Sequence, residues 1–100
     1  MKEREYLIEL YETYKELLTK KQQMYFESYY YEDLSLNEIA INNGVSKALV
    51  SKNINNTINK LKIFEEKLKI NYKENKLKEI KSNIKDDNIS KVIEEILYKY

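Results

Sequence analysis

A single glycine, Gly44, and no proline in 100 residues leave this chain few ways to reverse direction tightly. Strand hairpins and sharp turns draw on Gly, Pro and Asn to reach backbone conformations closed to other residues. Long helices need neither Gly nor Pro in their interiors. The sequence therefore predicts an all-α fold and excludes a β-sandwich or a doubly wound α/β domain. With 42% hydrophobic residues the chain can bury one modest core, as its length also suggests.

The chain has no cysteine and no histidine. That excludes a disulfide framework, a Cys/His zinc site, and Ser-His or Cys-His catalytic pairs. No acidic cluster has calcium-loop spacing, and no metal or cofactor is expected. Carboxylates, lysines and tyrosines are abundant, but none is paired in a way that departs from ordinary helix surface, so no enzyme is expected. The charged residues 1–5 run into an amphipathic pattern without the apolar centre of a signal peptide. No apolar run approaches the roughly 20 residues of a membrane span. A cytoplasmic protein with no membrane partner is the expectation.

Net charge is +1, and its distribution is uneven. Residues 1–43 carry a net charge of −4 and residues 44–100 a net charge of +5. Between 44 and 64 there are four lysines and no acid. Such a stretch can form a phosphate-contacting face. Codon bias towards Lys, Asn and Ile also raises the lysine count, so position carries more weight than number.

Apolar periodicity divides the chain into helices. Tyr6, Leu7, Leu10, Tyr11, Tyr14, Leu17 and Leu18 form one stripe from about Arg4 to Leu18. Thr19 is placed to cap a second helix from Lys20 to about Glu32, in which Met24, Tyr25, Tyr29 and Tyr30 recur at helical spacing. Tyrosines spaced in this way line a core with their hydroxyls at its edge, rather than stacking on bases. Ser35 and Glu38 form a capping box for a short helix from Leu36 to Asn42, which Asn43-Gly44 stops. Ser46 caps a longer fourth helix whose inner face is read as Val45, Leu49, Val50, Ile54, Ile58, Leu61, Phe64, Glu65 and Leu68, ending near Asn71. A polar fifth helix (about Tyr72 to Asn83) and a final amphipathic one follow, the latter capped by Asp87 or Asn88 with Ile89, Val92, Ile93, Ile96 and Leu97 on its stripe. Residues 1–70 are read as one domain. Residues 71–100 are read as a C-terminal helical extension packing on it or on a second subunit.

The span Leu36–Ile54 carries the functional signal. A helix-turn-helix needs a small residue where its helices cross, a left-handed residue four positions later, apolar anchors around the turn, and a cap on the second helix. Ala40, Gly44, the anchors Ile39, Val45, Val50 and Ile54, and Ser46 supply these in order. The predicted fold is therefore a three-to-four-helix core containing a helix-turn-helix, with a long fourth helix. If the motif binds DNA, the fourth helix enters the major groove by its N-terminal end. The candidate contacts are then Ser46, Lys47, Ala48, Ser51, Lys52, Asn55 and Asn56, with Ser35 and Asn37 on the backbone. Lysines can contact guanine edges or phosphates, and asparagine can pair with adenine.

The run from Leu17-Leu18-Thr19 through Lys21-Gln22, then Tyr29 to Ala40, then Val45-Ser46 and Val50, resembles the YlxM family of helix-turn-helix proteins. Tyr11 and Tyr14 fit the same pattern, and the resemblance covers about residues 5–70. The core also resembles, more broadly, the fourth region of bacterial sigma factors. The YlxM resemblance implies a small all-helical regulatory protein of low-GC Gram-positive bacteria and their relatives, encoded beside components of the signal recognition particle. It implies no DNA target. Where relatives often carry Arg and Gln after the turn serine, this chain has Lys47 and Ala48. Alanine offers no hydrogen bond to a base, and lysine lacks arginine's planar fork.

The expected function is that of a DNA-binding regulator, with DNA and a second copy of the chain as partners. The alternative is a protein- or ribonucleoprotein-docking module that contacts signal recognition particle components.

Overall fold

The computed structural model describes residues 2–98, and among these it contains six α-helices, one 3₁₀ turn and no strand. The helices are α1 (Lys2–Tyr14), α2 (Lys20–Tyr30), α3 (Leu36–Asn43), α4 (Lys47–Leu68), α5 (Ile70–Asn83) and α6 (Asp87–Tyr98). Contacts divide the chain into two units, one ending at Lys67 and the other beginning at Leu68.

The caps follow the sequence chemistry. Thr19 Oγ1 accepts from the Gln22 amide at 3.1 Å, and Gln22 Oε1 accepts from the Thr19 amide at 3.0 Å. Ser35 and Glu38 repeat this reciprocal pair at 3.1 and 3.0 Å. Each satisfies two amides that the first turn of a helix leaves without intrahelical partners. The α1 stripe breaks earlier than its periodicity suggests, because residues 15–17 tighten into a 3₁₀ turn. Leu17 is consequently 55% exposed, although Leu18 remains buried. Tyr6 and Met24 also lie at the solvent edge of their stripes.

The first unit has two apolar clusters. One joins Leu7, Leu10, Tyr11 and Tyr14 of α1 to Leu18, Phe26 of α2 and Leu61 of α4. The Phe26 ring stacks between Tyr11, at 4.3 Å between centroids, and Tyr30, at 4.5 Å. The other joins Tyr25 of α2, Ile39 and Ala40 of α3, and Val50 and Ile54 of α4. Helices α2 and α4 therefore run through both clusters, and α3 is clamped to them through the second. Tyr11 and Tyr14 serve the core with their phenols at its margin, as their spacing predicts: Tyr11 donates to Glu27, and Tyr14 donates to Glu65. The second bond explains the one acid on α4's inner face. Tyr25 departs from that expectation, its hydroxyl lying buried in the second cluster without a hydrogen-bond partner among the described residues.

The inner face of α4 differs from the sequence reading at three positions. Leu49 and Leu68 are exposed, whereas Thr57 is fully buried. At about 100° per residue, Val50, Ile54, Thr57 and Leu61 form one line, and Leu49 lies well off it. Thr57 tolerates burial because its hydroxyl donates to the Asn53 carbonyl at 3.0 Å. Helix α4 ends before Asn71, where Lys69 takes a left-handed conformation at φ 55° and α5 begins one residue later. Asn71 lies within α5 and is buried. In the second unit α5 and α6 form a helical hairpin, held in part by a Lys81–Glu94 ion pair at 2.8 Å. Asp86, rather than Asp87 or Asn88, caps α6: its Oδ1 accepts from the amides of Asn88 and Ile89.

Burial sets a limit on stability at high pH. Burial raises the Tyr11 phenol well above its ordinary value near 10, and the adjacent Glu27 carboxylate adds to the shift. A phenol that is harder to ionise when folded contributes stability that is fully present below pH ~10 and is lost as pH rises through the folded value. Wild type is expected to lose stability steeply above pH ~10, and Tyr11→Phe to lose less of it. Urea unfolding at neutral and alkaline pH checks this; equal slopes for both proteins would contradict it.

Candidate nucleic-acid interface

The corner between α3 and α4 is set by Gly44. Its backbone is left-handed, at φ 64° and ψ 34°. The Gly44 amide donates to the Ile41 carbonyl at 3.3 Å, and the Val45 amide donates to the Ala40 carbonyl at 3.0 Å. This is the paired closure of a Schellman motif, and Val45 packs onto the same cluster that buries Ala40. The space around Gly44 is open, with nothing within 4 Å of where a Cβ would stand. Gly44→Ala is thus expected to cost only the left-handed strain, about 1–2 kcal/mol, without changing the corner. Thermal or urea unfolding measures this, and a loss above about 3 kcal/mol would mean that the site is sterically closed.

Ser46 starts α4, its Oγ accepting from the Leu49 amide at 3.1 Å. Val50 and Ile54 then anchor the helix in the second cluster, which turns the opposite side of its first three turns to solvent. Ala48 and Lys52 point most directly outward, and Asn59, which the sequence reading did not select, lies on the same line. Lys47, Asn55 and Asn56 are exposed and Ser51 is half-buried. Asn55 and Ser51 flank one side of the outward line and border a small cleft with Tyr29, Leu36 and Ile58. Asn56 and Leu49 flank the other side. Leu49 is 45% exposed, so this flank is partly apolar.

From α3, Asn37 is exposed on the first turn. Ser35 is exposed too, but its oxygen and amide are both engaged with Glu38. Bonds from the Ser35 amide and hydroxyl hold the Glu38 carboxyl below its usual range, so it stays ionised and puts a negative charge beside Ser35. That charge opposes a phosphate at Ser35, whose amide and hydroxyl Glu38 engages. Ile41 on α3 is 78% exposed, a second apolar position that the helix pattern alone did not separate from the core.

The candidate residues thus fall into two groups. Ser46, Lys47, Ala48, Ser51, Lys52, Asn55 and Asn56 share the first three turns of α4, while Ser35 and Asn37 sit at the start of α3. Of the four lysines between residues 44 and 64, Lys47 and Lys52 lie near the N-terminus of α4 with its positive dipole end, whereas Lys60 and Lys62 lie farther along it and Lys62 pairs with Glu3 at 3.3 Å. Among the described residues, no group of three acidic side chains is disposed to hold a metal ion. No helix among them is long and apolar enough to cross a membrane.

Comparison with known proteins agrees with this architecture. Residues 1–99 match the family described as "Putative helix-turn-helix protein, YlxM / p13 like". The chain is 46% identical to the UPF0122 protein of Malacoplasma penetrans over 80% of its own length and 75% of that relative's. It is 40% identical to the UPF0122 protein of Fusobacterium nucleatum, over 88% of this chain and 89% of that relative. Identity to the Ureaplasma urealyticum protein of the same name is 38%, covering 91% and 92% of the two chains. The chain belongs to this family.

Proposed function

We propose that this member of the YlxM-like helix-turn-helix family is a non-enzymatic, cytoplasmic, DNA-binding regulator that acts as a homodimer. The proposal takes residues 1–70 as the DNA-binding domain and residues 71–100 as an extension serving assembly. The first three turns of α4 enter the major groove. Lys47 and Lys52 contact phosphates or guanine edges, Ser46 and Ser51 hold the backbone, and Asn55 and Asn56 approach base edges. Ala48 leaves room for close approach to a thymine methyl. Asn37 holds the backbone from α3, with Ser35 a weaker contact because of its ionised neighbour.

The observation that carries this reading is the Gly44–Ser46 corner. It buries one face of α4 and leaves the opposite, lysine-bearing face of its first turns uncovered by the first unit. A selection of bound genome fragments at two salt concentrations tests it. Sequence-enriched fragments whose affinity falls steeply with salt support it, since each phosphate neutralised adds to the salt slope. Binding with no enrichment and no salt dependence removes it.

A second reading has its own observation. Ile41 on α3 and Leu49 on α4 expose apolar side chains on the two helices of the motif, a feature suited to a protein or ribonucleoprotein surface. Under this reading the chain docks directly on a component of the signal recognition particle, without sequence-specific DNA binding. Recovery of particle protein with the tagged chain after nuclease treatment favours it, and its absence counts against it.

A further inference from the structure

The cleft that Ser51 and Asn55 border has a volume of about 110 Å³ and lies between the end of α2, the start of α3 and the middle of α4. Pockets for drug-sized ligands begin near 300 Å³. In liquid water this volume holds about four molecules, so the cleft has room for one flat ring and little more. Ile54 and Ile58 line it from α4, Leu36 from the first residue of α3, and Tyr29 and Tyr30 from α2. No lysine, arginine or carboxylate among the described residues lines it, which argues against an ion as its occupant.

Its polar edge is Ser51 and Asn55, one turn apart on α4. Neither side chain makes a hydrogen bond among the described residues. Around α4 the order from solvent to core is Lys52, Asn55, Ser51, Ile58 and Ile54. A cation thus stands beside a carboxamide, a hydroxyl and then an apolar floor. The Tyr30 ring is stacked on Phe26. Tyr29 is half-buried and meets Tyr30 in a T-shaped contact at 5.0 Å between centroids, and no ring is stacked on it among the described residues.

These parts match one nucleotide, which carries a phosphate, a polar base edge and a flat apolar base face. Aromatic side chains beside a basic groove are the usual seat of an unstacked base. The size of the cleft selects a single ring, and so a pyrimidine. Thymine and cytosine each place a donor beside an acceptor on the edge that pairing hides, and a carboxamide has one of each to offer.

We propose that the cleft takes one unstacked pyrimidine base from the DNA strand that runs along α4, with its edge on Asn55, its face against Tyr29 and its phosphate at Lys52. This rests on the DNA-binding reading above and adds a preference for DNA with an unpaired pyrimidine.

Binding of the full chain to three duplexes of one sequence tests the proposal: fully paired, with one bulged thymine, and with one bulged abasic residue. The abasic bulge loosens the duplex but offers no base, so it separates base capture from deformability. The thymine bulge is expected to bind about tenfold tighter than the abasic one, through the stacked base. It should also bind tighter than the paired duplex, because its base need not be extracted from a pair. Asn55→Ala and Tyr29→Leu should each bring the thymine-to-abasic ratio close to one, and Asn55 is exposed, so its variant keeps the fold. Equal affinity for the two bulges would overturn the proposal, and so would a ratio that survives both substitutions. If the bulges bind alike while Lys47→Glu with Lys52→Glu weakens both, the cleft fails and the DNA-binding reading stands. If no duplex binds, both fail.

Discussion

Phe26→Ala is expected to destabilise the first unit by about 3–5 kcal/mol, enough to unfold much of it in a domain of ordinary stability. The ring is fully buried and stacked between Tyr11 and Tyr30, so truncation removes aromatic contacts on both sides and leaves a cavity that three helices must close around. Tyr11 is fixed by its bond to Glu27 and cannot collapse into the gap without breaking it. Phe26→Leu keeps most of the volume and should cost less than half as much. Urea unfolding followed by far-ultraviolet circular dichroism measures both. A loss below about 1 kcal/mol for the alanine variant would show that Phe26 does not hold α1 against α2.

The second large effect is on binding. Lys47→Glu with Lys52→Glu is expected to weaken duplex DNA binding about tenfold or more and to reduce the salt slope by about 2. Both side chains are exposed, so stability should change by no more than about 0.5 kcal/mol. Lys20→Glu with Lys21→Glu makes the same charge change at the start of α2, away from the corner. It should reproduce only the small effect of net charge. Equal losses in the two double variants would mean that the lysines act through overall charge, and the assignment of α4 would fail.

Much of the architecture was legible because local chemistry and tertiary packing agree. The capping boxes at Thr19 and Ser35, the left-handed corner at Gly44 and the cap at Ser46 are all local signals, and each forms as its residue type dictates. The discrepancies have a common origin. Periodicity finds an apolar stripe but not its width, so Leu49, Leu17 and Met24 at the edges read as core although they face solvent. Thr57 reads as surface because its self-satisfying bond to the Asn53 carbonyl is invisible in a hydropathy pattern. The break at Lys69 carries no glycine or proline to mark it, so its position was displaced to Asn71.

The candidate site was legible as a list but not as a surface. Ser35 and Asn37 look equivalent in sequence, yet the Glu38 carboxylate is bonded to Ser35 alone. Asn59 escaped notice because it falls a turn beyond the motif, although it continues the outward line of Ala48 and Lys52. The exposed Ile41 became visible only once α3 was seated on its cluster.

Amide chemical-shift mapping of the isotopically labelled chain, titrated with a duplex from the fragment selection, tests the central claim most directly. The account predicts the largest perturbations from Ser46 to Asn56, with a smaller set at Asn37 and little change along α1. Perturbations centred on α1 or α2, with the amides of residues 46–56 unmoved, would contradict it.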